Sequence, residues 1–172
     1  MTPESTLRRA TSADAPAMAR QMVAGLADYP SFAPARWRPP AAAEEEANLL
    51  ALLPDPAIWA LVAEDGGRLV GQVTLVPAAR AARPVDDPRL VHLRNLFVDR
   101  AHWGGGLATA LHGAAVAAAG ERGFTTLRLF VATGQDRARR FYAREGWAMA
   151  GAPFFDPVPG LELVELRRPA GS

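Results

Sequence analysis

The chain of 172 residues contains no cysteine. Disulfides, thiolate metal ligands and a cysteine acyl-enzyme are therefore excluded. Lysine is absent too: all 19 basic residues are arginine, and isoleucine occurs only at Ile58. A P-loop, which needs a lysine before its serine or threonine, cannot be built, and the protein cannot modify a lysine of its own. The same bias fits a GC-rich bacterial genome better than a functional demand. An excess of one charge is also missing, with 19 basic against 18 acidic residues and a formal charge of +1. The arginines are scattered along the chain, so nucleic acid is not an expected partner. The alanine-rich apolar run around Ala114–Ala119 is interrupted well short of a membrane span. Met1-Thr2-Pro3-Glu4 lacks the basic-then-apolar pattern of a secretory leader. A cytoplasmic protein with no membrane contact is the expectation. His92, His102 and His112 are spaced too widely for a compact metal motif, so no metal is expected.

What is present is enough apolar residue, 49%, for one core of ordinary size. The pattern predicts a single domain over residues 5–169. A first strand, Thr6–Ala10, leads through the N-cap candidates Thr11 and Ser12 into an amphipathic helix, Asp14–Ala27, with Met18, Met22 and Leu26 on its apolar face. Tyr29–Pro40 reads as a loop and Glu44–Leu53 as a helix stopped by Pro54, its acids forming a solvated first turn. Trp59–Glu64 and Leu69–Leu75 flank Asp65-Gly66-Gly67 as an antiparallel hairpin. After the loop Pro77–Pro88 the order becomes strand Leu90–Val98, helix Gly104–Glu121, strand Thr126–Val131: one right-handed βαβ unit. A helix Gln135–Glu145 closed by Gly146 and strands near Trp147–Ala150 and Leu161–Arg168 complete the chain. The fold class is α/β (α+β): a mixed, mostly antiparallel sheet of six to seven strands with flanking helices.

Chemistry concentrates where the strand Leu90–Val98 gives way to the next helix. Trp103-Gly104-Gly105-Gly106-Leu107-Ala108-Thr109 places free backbone N–H groups at a helix start, and three glycines allow a ligand to approach the backbone closely. A diphosphate is the natural guest, although a glycine run also serves as a plain turn. The dinucleotide fingerprint does not fit: Thr109 stands where a small third residue belongs, and Phe130-Val131-Ala132-Thr133 ends the following strand without an acid.

At these residues the chain resembles the GNAT superfamily of N-acetyltransferases, whose Q/R-x-x-G-x-G/A signature corresponds to Trp103–Ala108 with Trp103 in place of Gln or Arg. Leu96-Phe97-Val98 resembles the family's central strand, which pairs with pantetheine as another strand would. A second match, Gln135–Trp147, is similar to N-x-x-A-x-x-x-Y-x-x-x-G-F, with Gln135 for Asn and Trp147 for Phe. The resemblance implies acetyl-CoA as acyl donor, held by Leu96, Phe97, Val98, Trp103, Gly104, Gly105, Gly106, Leu107, Ala108, Thr109 and Gln135. It further implies direct attack by an amine, small molecule or peptide, in a ternary complex.

Within that resemblance, backbone N–H groups near Phe97 and Val98 polarise the carbonyl, and Tyr142 is the general acid for the departing sulfur. Spacing alone does not separate this role from packing, and Phe141 is taken as the core member of the pair. His92 occupies a strand position where many relatives carry a basic Glu, and its ordinary pKa near 6.5 suits a base; a strand residue filling space is the other reading. Asp28, Glu64, Asp86 and Asp156 are further candidates for the base, and Arg100 and Arg139 for contacts to the CoA phosphates. His112 is expected at the helix surface. The acceptor site is expected among Tyr29–Trp37, Pro77–Pro88 and Phe154–Pro157. A non-catalytic acyl-CoA-binding or sensing module, or a transferase for another acyl-CoA, stays open, as does a homodimer.

Overall fold

Seven strands follow one path in a single sheet and an eighth joins it at the side. The computed structural model describes residues 5–171. Strands β1 (Thr6–Arg9), β2 (Trp59–Asp65), β3 (Arg68–Pro77), β4 (Leu90–Val98), β5 (Thr126–Ala132), β6 (Ala148–Met149), β7 (Phe154–Asp156) and β8 (Leu161–Pro169) are ordered β1-β2-β3-β4-β5-β8-β6, with β7 also on β8. All pairings are antiparallel except β4 with β5. The expected mixed, mostly antiparallel sheet is therefore present, with eight strands where six to seven were expected. The additional one is β7, within the segment read as the loop Phe154–Pro157. Asp156 turns the chain there: its Oδ1 accepts from the Val158 N–H at 2.9 Å and its carbonyl from the Gly160 N–H at 2.9 Å.

Helices α1 (Ala15–Gly25) and α2 (Ala42–Leu52) cover one face, and α3 (Leu107–Glu121) and α4 (Asp136–Arg144) the other. Met18 and Met22 of α1 pack with Leu49 of α2 on Val62, the core role their spacing predicts for the two methionines. On the opposite face Leu107, Leu111 and Ala115 of α3 meet Val73, Leu75, Leu93 and Leu129 from the sheet. The β2–β3 turn consists of Gly66 and Gly67, both at positive φ (57° and 77°), the conformation a two-residue hairpin favours.

Two departures from regular strand geometry matter for the site. Between Gln72 and Thr74 the β3–β4 register shifts, and opposite the shift Asn95 has φ 58°. This bulge bends β4. β4 pairs with β5 only at Leu90–Thr126, Val91–Leu127 and His92–Arg128. From Leu93 onward the two parallel strands part.

α3 lies close to β3 because Gly71 has no side chain. A Cβ there would stand 2.8 Å from Leu111 Cδ1 and 3.4 Å from Leu107 Cδ2. Gly71→Val should lower the unfolding free energy by about 1–3 kcal/mol through overpacking, measured by denaturant titration; an unchanged midpoint would show that α3 yields without cost.

Candidate active site

The parting of β4 from β5 opens a cleft of about 770 Å³. β4 contributes Asn95, Leu96, Phe97 and Val98, and β5 contributes Phe130 and Val131. The rim is completed by Gly25 and Tyr29 on one side and by Trp103, the glycine turn and Tyr142 on the other. Gly25 is required at the end of α1, since a Cβ would collide with the Phe97 ring. That close contact carries the α1 side of the cleft down onto β4.

The glycine turn adopts the conformations its composition allows. Gly104 and Gly106 have φ 80° and 85°, and Gly106 is the N-cap of α3. A Cβ on either would meet nothing within 4 Å, so backbone conformation rather than space requires glycine there. No side chain caps α3, which leaves the first N–H groups of the helix free for an anion. Trp103 has two partners: its Nε1 donates to the Val98 carbonyl at 2.9 Å, and the Arg137 guanidinium lies 3.2 Å above its ring. The large residue at this signature position ties the turn to the end of β4.

The structure brings together in this cleft Leu96, Phe97, Val98, Trp103, Gly104, Gly106, Leu107, Ala108, Thr109, Gln135 and Tyr142; Gly105 lies within the turn but does not line it. Tyr142 is buried, and burial, with Tyr29 nearby, raises its pKa above the ordinary phenol value. Its ring meets Phe141 at 5.3 Å and Trp147 at 5.7 Å, both edge-on. Phe141 is only half-buried, so Tyr142, rather than Phe141, is the deeper member of the pair.

His92 is not brought to this cleft. It is buried, its Nδ1 accepts from Arg128 Nε at 3.1 Å, and its ring packs 4.9 Å from that of Phe130. Arg128 in turn donates to the carbonyls of Arg83 and Ala82 at 2.9 and 2.8 Å. The pair joins the 77–88 loop to the sheet, and a lone pair held by a guanidinium is not available to take a proton. Glu64 is engaged by Arg8 at 2.7 Å, and Asp156 by its own turn. Of the acids considered as bases, Asp28 alone lines the cleft.

His112 is buried rather than at the helix surface: Trp147 Nε1 donates to its Nε2 at 2.9 Å, and Glu145 Oε2 is 3.4 Å from its Nδ1. Arg139 donates to the Thr133 carbonyl at 3.0 Å and does not line the cleft, and Arg100 sits 5.1 Å from the Trp103 ring. The basic residues that do line the cleft are Arg137, Arg140 and Arg144. Their spacing of three and four residues on α4 is the signal in the sequence that could have found them.

An open mixed sheet split between two parallel strands, with an uncapped glycine-led helix at the split, is the architecture of an acetyltransferase. Residues 23–147 match the acetyltransferase (GNAT) family, and the chain belongs to that family. It is 35% identical over 109 residues to N-acetyltransferase 8 of Mus musculus, a match covering 61% of this chain and 45% of the mouse protein. Similar solved structures include a ribosomal-protein-alanine N-acetyltransferase from Brucella melitensis, with TM-score 0.70 and 22% identity over 95% of this chain and 99% of that one. They also include the yncA protein of Salmonella typhimurium, solved with its cofactor acetyl-CoA, with TM-score 0.73 and 20% identity over 98% and 95% of the two chains.

Burial, reinforced by Arg128 and Arg94, lowers the His92 pKa from 6.5 to about 3. The native state keeps His92 neutral while the unfolded chain binds a proton below pH 6.5, so its contribution is full above pH 6.5 and is lost as pH falls toward 3. Melting temperature against pH should thus fall less steeply over that window in His92→Gln than in the parent; parallel curves would refute the assignment.

Proposed function

We propose that this chain transfers the acetyl group of acetyl-CoA to a primary amine, small molecule or peptide, by direct attack in a ternary complex. The observation that carries this reading is the meeting, in one cleft, of the unpaired edge of β4, the uncapped N-terminus of α3 and the Tyr142 side chain. The free β4 edge suits the amide-bearing arm of the donor, which can pair with it as a strand would. The N–H groups after Gly106 suit the pyrophosphate, and Arg137, Arg140 and Arg144 supply positive charge around it.

In the reaction proposed, the amine nitrogen bonds to the acetyl carbon, the carbon–sulfur bond breaks and the electron pair of that bond leaves on sulfur. Backbone N–H groups near Phe97 and Val98 polarise the carbonyl. Tyr142 donates its hydroxyl hydrogen to the departing sulfur as general acid; a phenol, with an ordinary pKa of about 10, is protonated at neutral pH. The proton lost by nitrogen leaves through Asp28 or water and restores the tyrosine, so the products are an N-acetylated amine and free thiol. With no cysteine in the chain, a cysteine acyl-enzyme route is not open.

Acetyl-CoA turnover measured with an amine library tests the reading. Tyr142→Phe should lower kcat by about 100-fold, at the low end of general-acid contributions, with the KM for acetyl-CoA little changed. Gly106→Val should instead raise that KM, because φ 85° disfavours a β-branched side chain. Undiminished activity in both variants would refute these site roles. If acetyl-CoA raised the melting temperature while no amine was acetylated, the chain would be an acyl-CoA-binding module instead.

A further inference from the structure

We propose that Arg94, with Asn95 beside it, recognises the acceptor, and that the acceptor is an amine carrying a carboxylate. This rests on the acetyl-transfer reading above and adds the substrate class to it.

The inference starts from one face of the two central strands. Gln72 and Thr74 of β3 stand in register with Phe97 and Arg94 of β4. Gln72 identifies which face this is, because its Nε2 donates to the Met18 carbonyl and to Gln21 Oε1 of α1, both at 2.9 Å. The row therefore lies under α1 and α2, on the side from which Gly25, Asp28 and Tyr29 reach the cleft.

Polar atoms on this row and at the adjoining bulge are left unpaired. Gln72 Oε1, Thr74 Oγ1 and Asn95 Nδ2 are buried without a hydrogen-bond partner, and Arg94 makes no hydrogen bond or ion pair among the described residues. Native interiors rarely tolerate such groups unless something else satisfies them. Arg94 is half-buried beside these atoms, and its guanidinium stays charged at every physiological pH. Burial lowers the Arg94 pKa, and Glu45 on α2 opposes that shift from beyond ion-pair distance.

The contrast with Arg128 on the same face is direct. Arg128 is the more deeply buried of the two, at 1% exposure against a half-buried Arg94, and its three bonds to His92, Arg83 and Ala82 account for it as a structural group. Arg94 has no such account. It immediately precedes Asn95, which lines the cleft at the point where β4 leaves β5. A carboxylate on the acceptor would give the guanidinium its missing counter-charge, often through two parallel bonds, and one of its two oxygens could accept in addition from the Asn95 amide. The same arrangement repels a polycation. Among the described residues Asp28 is the one carboxylate on the cleft wall, in agreement.

Each standard amino acid, assayed beside its own amide and beside spermidine, tests this. The parent should acetylate at least one amino acid with kcat/KM ten or more times that of its amide, and spermidine poorly. In Arg94→Gln that ratio should collapse toward one through a rise in KM for the amino acid, whereas Arg94→Lys should keep part of it. A preference for amides or spermidine in the parent, or a ratio unmoved in Arg94→Gln, overturns the proposal. Melting temperature gives an independent readout. Without ligand, Arg94→Met should melt at or above the parent because an uncompensated charge has been removed; a clear fall would make Arg94 a structural residue and overturn the proposal. If no amine is acetylated, the acetyl-transfer reading fails on its own terms. Amino acids that then raise the melting temperature of the CoA-loaded parent, but not of CoA-loaded Arg94→Gln, would still support recognition at Arg94; equal shifts would refute it.

Discussion

The structure depends most on a hydrogen-bonded ladder that stops early. β4 and β5 pair at only three positions, and the bulge at Asn95 turns β4 away from a neighbour it would otherwise follow to the end. Had the ladder continued, Leu96, Phe97 and Val98 would lie in an unbroken sheet and no cleft would exist. Because it stops, β4 offers backbone polar groups on one edge with no strand to receive them. A cleft beside them suits an extended, amide-bearing ligand, which can pair with such an edge as a strand would.

An opening of this kind has to be held open, and the surrounding contacts do so. On the α1 side, Gln72 fastens β3 to α1 through the Met18 carbonyl and Gln21, and Gln21 passes the tie to Asp99 at 2.8 Å, just after β4. Arg68 reaches Asp99 from β3 at 2.9 Å. On the α3 side, Trp147 and His112 join the segment after α4 to α3, and the Trp147 ring stands beside Tyr142. Burial disfavours the charged form of His112, while Glu145 acts in the other direction. The imidazole therefore accepts the indole hydrogen while neutral, and each wall is fixed by its own polar links.

The course of the chain was largely legible in the sequence because hydrophobic period and turn chemistry agree along most of it. The Gly66-Gly67 hairpin, the glycine turn before α3 and the Gly146 stop after α4 each follow from positive φ at a glycine. What was not legible depends on contacts distant in sequence. Whether Phe141 or Tyr142 faces inward is set by where α4 lands on the sheet, which helical spacing does not disclose. His112 is polar on an alanine-rich helix and reads as exposed until Trp147, 35 residues away, supplies its partner. His92 suits a base by its ordinary pKa, but the partner that occupies its lone pair, Arg128, is on another strand. β7 is three residues long and relies on β8 for its pairing, so no local pattern announces it.

The two halves of the cleft differ in what the sequence can reveal, for a physical reason. The donor half, as proposed, would work through backbone groups, and the demands these make on sequence are narrow: glycine at Gly104 and Gly106, and an open edge after His92. Such demands leave a mark that is readable without a structure, even with Trp103 at the first signature position. The acceptor half, as proposed, would work through side chains brought in from α1, β3 and β4, whose identity is free to vary with the ligand. Only the register of β3 against β4 reveals that Thr74 and Arg94 stand opposite each other, and only the structure shows that Arg128 is buried and bonded while Arg94 is half-buried and without a partner among the described residues. An unsatisfied charge is a property of three-dimensional surroundings. The donor in this fold can therefore be inferred from local spacing, whereas the acceptor has to be inferred from which buried polar groups the protein leaves unpaired.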